Sequence, residues 1–334
     1  MLCYASRGET LKEMKNVLGY DMACLSDDNL ISSFDHLFSI FEKSTESCTL
    51  SYANSLVIQK GFVVKEEFKS TLVESFKALL QDADFEKESE KVVQQINEWV
   101  KGKTNGMITR LLNSLESETV VVLLNAIYFK GSWSRQFGKS STQCQNFYNR
   151  GKRDEIQQVE MMQLGAPFLF MENDTFQALN LPYKGKDIAM FIFLPRSLDG
   201  LEELESKLNA NFIRDVTKRM RERKVKVALP KFRLEYSKSL ITAFKNLGMN
   251  RIFQRGAELG GMSDSNQLEV SDICHKAVLV VNEEGCEAAA ATAVIITKRS
   301  LTDEPLFIVD HPFLFIIYDK RNGLILFIGR VQEL

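Results

Sequence analysis

The spacing of the hydrophobic residues changes once along this chain, and that change limits the possible folds more than any other feature. In the first hundred residues, apolar side chains recur at helical spacing. Thr10–Leu18 is amphipathic and stops at Gly19, and Ser26–Phe41 aligns Leu30, Phe34, Leu37, Phe38 and Phe41. Glu66–Leu80 repeats the pattern, and Ser89–Val100 carries a stripe from Val92 to Val100 before the break at Thr104-Asn105-Gly106. From Val120 onward the signal becomes short apolar or alternating runs: Val120–Leu124, Ile188–Leu194, Val225–Leu229, Ala277–Val281, Phe307–Val309, Phe313–Ile317 and Leu324–Ile328. Asn322-Gly323 between the last two is a hairpin turn signal. Helices return at Leu201–Leu208 and Ser237–Leu247. Helices gathered early and strands gathered late predict an α+β architecture with large, mainly antiparallel sheets.

Composition narrows the function. With 45% hydrophobic and 26% charged residues the chain is globular in type, which excludes wholesale disorder. Lysine and arginine number 42 against 44 aspartates and glutamates, a net charge of −2, which argues against a nucleic-acid binder. No apolar run reaches the ~18 residues of a membrane span, and Met1–Gly8 does not read as a signal peptide. Six cysteines, at 3, 24, 48, 144, 274 and 286, form no C-x-x-C pair and are expected to be mostly buried thiols, with one or two bridges open to a secreted chain. Asn173-Asp174-Thr175 is the single N-glycosylation sequon.

Catalytic chemistry leaves few traces. Of the three histidines, His36, His275 and His311, none belongs to an H-E-x-x-H helix, and no G-x-S-x-G elbow is present. Gly138-Lys139-Ser140 lacks the earlier glycine of a phosphate loop, whose place is held by Trp133. Cys274 and His275 are adjacent, so on a strand they face opposite ways and cannot share a metal. Asp310-His311-Pro312 reads as half of a triad or as a structural histidine, and the apolar surroundings favour the second. The chain is not expected to be an enzyme, and no metal or cofactor is expected. The densest basic run contains Arg219, Arg221, Arg223 and Lys224, read either as a solvated surface or as a patch for a heparin-like polyanion.

The most unusual segment runs from Asn282 to Ser300. Its alanines favour helix, while Val294, Ile295, Ile296 and Thr297 favour strand. Such conflict suits a segment that adopts more than one conformation. Written as a strand, one face carries Cys286, Ala288, Ala290, Thr292, Val294 and Ile296, all small or apolar, so that face could be buried between two strands. The other face begins with Glu287, and Lys298-Arg299-Ser300 reads as bait for a trypsin-like protease. The plainer reading is an alanine-rich surface loop.

These residues resemble the serpin family, and the resemblance covers essentially the whole chain. Glu283-Glu284-Gly285, then Glu287, Ala288, Ala289, Ala290, Ala291 and Thr292, look like the hinge of an inhibitory reactive-centre loop. Asn125–Trp133, Leu181–Gly185, Leu229–Phe232, His311–Phe315 and Leu326–Val331 resemble other family signatures, and Ile96–Val100 is similar to part of the helix across the main sheet. The resemblance implies a single domain over 1–334 with three mainly antiparallel sheets, about eight helices and an exposed loop at about 283–305. It implies a suicide inhibitor of serine proteases. The target cuts the loop and forms an acyl-enzyme, and the loop then inserts into the main sheet and traps it. Family spacing puts the reactive bond at Arg299-Ser300, with Lys298 as the alternative bait.

Residue by residue, the resemblance implies a salt bridge between Lys231 and Glu283 where the loop enters the sheet, with Trp133 packed nearby. Asn125 and His275 match part of a polar cluster that controls sheet opening. Two departures stand out. Cys286 holds the first inserting position, where threonine or serine is usual. Met1–Gly8 resembles the end of the family's second helix, so the first helix, an adjoining strand and the serines of the opening cluster have no counterpart. A non-inhibitory carrier or chaperone is the alternative function. The expected partner is a trypsin-like protease, with neither nucleic acid nor membrane, and the protein is expected to be a monomer that can form loop-sheet oligomers. Thiols point to the cytosol, while the sequon and the arginine bait point to an extracellular site, which is favoured.

Overall fold

A computed structural model describes residues 1–21, 26–42, 48–283 and 304–334. Among these are eight α-helices: α1 (Leu2–Ala5), α2 (Gly8–Val17), α3 (Asp27–Glu42), α4 (Glu66–Glu74), α5 (Phe85–Lys103), α6 (Leu201–Lys207), α7 (Ala210–Arg219) and α8 (Ile241–Asn246). The strands are β1 (Cys48–Gln59), β2 (Ala78–Ala83), β3 (Val121–Gly131), β4 (Gln143–Tyr148), β5 (Ile156–Glu172), β6 (Phe176–Pro182), β7 (Ile188–Pro195), β8 (Arg221–Pro230), β9 (Phe232–Ser239), β10 (Val270–Val281), β11 (Leu306–Ile308), β12 (Phe313–Asp319) and β13 (Leu324–Val331). None of the described helices is long and apolar enough to cross a membrane.

Local chemistry explains most boundaries. Gly19, at φ +72°, follows the end of α2. Asp84 caps α5 by accepting the Lys87 amide at 3.1 Å, and Asn105 and Gly106, both at positive φ, terminate it. Two expected helices are shorter than their pattern. The Glu66–Leu80 pattern yields a helix only to Glu74; Lys77 takes φ +48°, and Ala78–Ala83 pairs in parallel with Asn54–Gln59 of β1. Ser237–Ser239 belongs to β9, so the last helical stretch begins at Ile241. In both places pairing with a neighbouring strand overrides local preference.

The described strands form two hydrogen-bonded sheets where three were expected. The first has the order β2-β1-β3-β10-β9, and the second β11-β8-β5-β6-β7-β12-β13 with β4 also on β5. The merger is due to β5, whose 17 residues extend about 55 Å and pair in turn with β4, β8 and β6. The second sheet is antiparallel apart from β11 against β8, whereas the first contains the parallel pairs β1–β2 and β3–β10.

The chain's contacts divide it into two compact units. One comprises Met1–Ser44, Thr49–Phe129 and Leu234–Leu279. Its core joins Leu56 and Ile58 of β1, Phe68 and Leu72 of α4 and Ile273 of β10. The other comprises Thr45–Cys48, Lys130–Arg233 and Val280–Leu334. There α6 and α7 lay Leu201, Leu204 and Val216 on Phe191, Phe193 and Ile316 of the second sheet. Burying these side chains contributes roughly 1.5–3 kcal/mol each.

Candidate functional site

In the first unit, β3 and β10 pair directly and in parallel, from Val121↔Val270 to Phe129↔Leu279, with one irregularity after Val270. Parallel ladders have slanted hydrogen bonds and are slightly weaker per residue than antiparallel ones. A polar cluster lies across this pairing. His275 is the register partner of Asn125. Asn125 Nδ2 donates to Asn54 Oδ1 at 2.7 Å, and Asn54 Nδ2 donates to the Phe76 carbonyl at 3.4 Å. Asn125 Oδ1, left as an acceptor, faces His275 Nδ1 at 2.6 Å. That ring nitrogen therefore carries the hydrogen. Burial lowers the His275 pKa, which favours the neutral ring. Sequence reasoning found Asn125 and His275 and missed Asn54. The signal available was an asparagine on the same strand face as the fully buried Leu56 and Ile58.

In the second unit, the chain leaving β10 is fixed at Asn282 and Glu283. Trp133 Nε1 donates to the Asn282 carbonyl at 2.9 Å, and the indole stacks on Tyr183 at 4.5 Å between centroids. Glu283 Oε2 lies 3.3 Å from Lys231 Nζ, and Thr142 Oγ1 donates to Glu283 Oε1 at 2.7 Å. Lys231 Nζ also meets Glu160 Oε2 at 3.1 Å. A cavity of about 390 Å³ opens among these groups, lined by Lys139, Thr142, Glu160, Lys231, Asn282 and Glu283.

Burial works to raise the Glu283 pKa, but the Thr142 hydroxyl, its own backbone amide and the Lys231 ammonium prevail and hold it low. For Lys231, burial works downward and the two carboxylates prevail, holding its pKa high. Both groups are therefore charged at neutral pH. The predicted Lys231–Glu283 pair is present and Trp133 lies beside it; Glu160 and Thr142 were missed because nothing in the sequence marks two residues so distant as neighbours.

Gly285, Cys286, Glu287, Ala288–Ala291, Thr292, Lys298, Arg299 and Ser300 lie outside the described residues. At the start of the last described segment, Glu304 meets Lys224 Nζ at 2.6 Å and Lys226 Nζ at 3.9 Å, and the Lys226 amide donates to the Pro305 carbonyl at 2.9 Å.

The basic run is partly neutralised. Lys224 is paired with Glu304, and Arg223 with Glu172 at 3.1 Å while lying over the Phe170 ring. Arg221 donates to the Lys218 and Met220 carbonyls, satisfying the end of α7, and Arg219 is exposed. Both ring nitrogens of the buried His311 are engaged, by Asp310 Oδ1 and the Pro195 carbonyl, each at 2.8 Å. Cys3 and Cys274 are buried thiols, whereas Cys144 is exposed. Burial pushes the Cys274 thiol pKa up, assisted by Asp272.

Comparison with known proteins agrees over the full length. A family model described as Serpin (serine protease inhibitor) matches residues 1–334. Iripin-1 of Ixodes ricinus is 39% identical over 335 residues, spanning 100% of this chain and 86% of that protein. Intracellular coagulation inhibitor 1 of Tachypleus tridentatus is 37% identical over 340 residues, spanning 100% and 81%. The crystal structure of uncleaved ovalbumin superposes with a TM-score of 0.91 at 28% identity, covering 100% of this chain and 89% of that one. With this fold and these matches, the chain belongs to the serpin family.

Proposed function

We propose that this chain is an inhibitory serpin that traps trypsin-like serine proteases by a suicide mechanism. The protease attacks the carbonyl of Arg299 in the loop spanning about 283–305, the bond to Ser300 breaks, and an acyl-enzyme forms. The cut loop then inserts between β3 and β10 and carries the covalently held protease with it.

The observation that carries this reading is the direct parallel pairing of β3 with β10, together with the position of the loop immediately after β10. A chain that leaves β10 and turns back runs antiparallel to both strands. Insertion therefore exchanges one parallel ladder for two antiparallel ones. About a dozen residues, each gaining ~1 kcal/mol net, give a driving force on the order of 10 kcal/mol before apolar burial is counted. The face formed by Cys286, Ala288, Ala290, Thr292, Val294 and Ile296 brings no charge between the strands. The same composition disfavours the carrier or chaperone alternative, because nothing bulky or charged on that face blocks insertion. The name of one relative, intracellular coagulation inhibitor 1, is in keeping with protease inhibition.

In this reading residues 1–334 act as one domain, the clamp at Glu283 and the cluster at Asn125 guard insertion, and the site of action is extracellular. Arg299 fits the basic-side-chain pocket of trypsin-like enzymes, with Lys298 as the alternative bait. Arg219 and Arg221, which carry no carboxylate pair among the described residues, are the better half of the polyanion patch.

Incubation with trypsin, followed by denaturing electrophoresis and mass spectrometry, tests the mechanism and the bait together. The expected result is a covalent complex and a released peptide beginning at Ser300, with Arg299→Ala abolishing both. Clean cleavage without a complex would overturn the inhibitory reading.

A further inference from the structure

The hairpin between β5 and β6 carries Asn173-Asp174-Thr175 at its tip, with all three residues exposed. The tip is organised around one atom, Asn173 Oδ1. It accepts the Thr175 amide at 2.9 Å, the Thr175 hydroxyl at 3.0 Å and the Phe176 amide at 2.8 Å. Three donors on one oxygen settle which end of the side-chain amide is which. The main chain closes the turn independently, with the Asn173 amide donating to the Phe176 carbonyl at 3.0 Å. Arg196 holds the outer carbonyls, donating from its amide to Thr175 at 2.8 Å and from Nε to Asn173 at 3.2 Å. Arg196 is itself anchored to Glu172 at 2.8 Å. The remaining polar atom of the Asn173 side chain is Nδ2, which has no partner among the described residues.

We infer that Asn173 is a site of N-linked glycosylation, with Nδ2 as the acceptor for an oligosaccharide transferred from a lipid pyrophosphate carrier. In the transfer, the bond from sugar C1 to the carrier's pyrophosphate oxygen breaks, a bond from C1 to Nδ2 forms, and Nδ2 gives up one proton. No oxidant or reductant is required. The product is a secondary amide that keeps Oδ1 as an acceptor, so all three hydrogen bonds of the turn survive. A glycan at this tip extends into solvent from a hairpin whose backbone is already satisfied, and it displaces no contact of the fold. Thr175 serves twice: its hydroxyl completes the acceptor sequence and fixes the amide in the folded turn.

The test is to express the full chain behind a cleavable secretory leader in eukaryotic cells and map the Asn173 peptide by mass spectrometry. A glycopeptide is expected in the majority of chains, with an amidase removing the added mass and leaving aspartate at 173. Asn173→Gln and Thr175→Ala should abolish the modification, and Thr175→Ser should retain it in part. Trypsin capture by Asn173→Gln should be unchanged. Translation into microsomes supplies the same readout for any variant that is not secreted. An unmodified Asn173 in the secreted protein, or in the microsomes, would overturn the inference.

Discussion

A carboxylate as buried as Glu283, with 7% of its side chain exposed, persists as an anion only where its lone pairs are met, and here Thr142 and Lys231 meet them. Removing Lys231 leaves that charge without its counter-ion. Lys231→Gln should therefore cost about 1.5–3 kcal/mol, lowering the thermal midpoint by several degrees. Glu283→Gln should cost less, because it removes the buried charge itself. Thermal unfolding of the two variants side by side checks the order.

The pH dependence follows from the directions of the shifts. Glu283 titrates below its unfolded value, so its contribution is present above about pH 4.5 and lost as pH falls through its folded value. Lys231 titrates above its unfolded value, so its contribution is present below about pH 10.5 and lost as pH rises through its folded value. The clamp is whole at neutral pH and fails first in acid. Stability measured from pH 6 down to pH 3 should fall less steeply in Glu283→Gln than in the parent protein. Asn125→Ala should strand both His275 Nδ1 and Asn54 Oδ1, a loss of about 1–3 kcal/mol for each buried group left unpaired. An unchanged unfolding midpoint in Asn125→Ala would contradict that role.

For the elements, the strand pattern of the loop makes opposite predictions for neighbouring residues. Written as the strand that the proposed insertion requires, the sequence assigns Ala290 to the inward face and Ala289 to the outward one. Ala290→Arg places an unpaired charge between β3 and β10, a cost of several kcal/mol. It should turn the inhibitor into a substrate, cut at the same bond without a trapped complex. Ala289→Arg should leave trapping nearly intact. Equal trapping by the two variants, measured as moles of inhibitor consumed per mole of protease blocked, would dismiss the strand reading.

The apolar runs made β7 and β12 legible, because each is buried almost throughout, and β13 was legible from its apolar composition beside the Asn322-Gly323 turn although only Val331 of it is buried. Periodicity failed where helical spacing and strand pairing coincide. Leu79 and Leu80 extend the period of α4 but pair with β1, and Ser237–Ser239 were assigned to a helix although they close β9. β5 also escaped, since its Gln157, Gln158 and Glu160 are exposed and its interior changes partners midway. Periodicity reports which face of an element is apolar, whereas the clamp depends on Glu160 and Thr142 meeting Lys231 and Glu283 across long stretches of chain. That proximity is a product of the completed fold.

At the scale of the whole molecule, the proposed mechanism requires that the native sheet, with its parallel seam between β3 and β10, is not the most stable sheet this sequence can form. In that proposal a cut at Arg299–Ser300 frees the N-terminal arm to supply an antiparallel strand, and the composition of the face read as inward, Cys286 to Ile296, brings no charge to oppose burial. If insertion contributes on the order of 10 kcal/mol, the cut protein should unfold on the order of 15 °C above the intact one, taking ~1.4 °C per kcal/mol for a chain of this size. Cleavage ordinarily lowers stability by loosening the chain, so even the sign of the change is diagnostic. The measurement is calorimetry of intact protein beside protein nicked by a protease that it does not trap. Ala290→Arg supplies the control, since its nicked form is denied the inward register and should gain little. A nicked parent protein that melts at or below the intact one would mean that the seam stays closed, and the proposed trapping would lose its driving force.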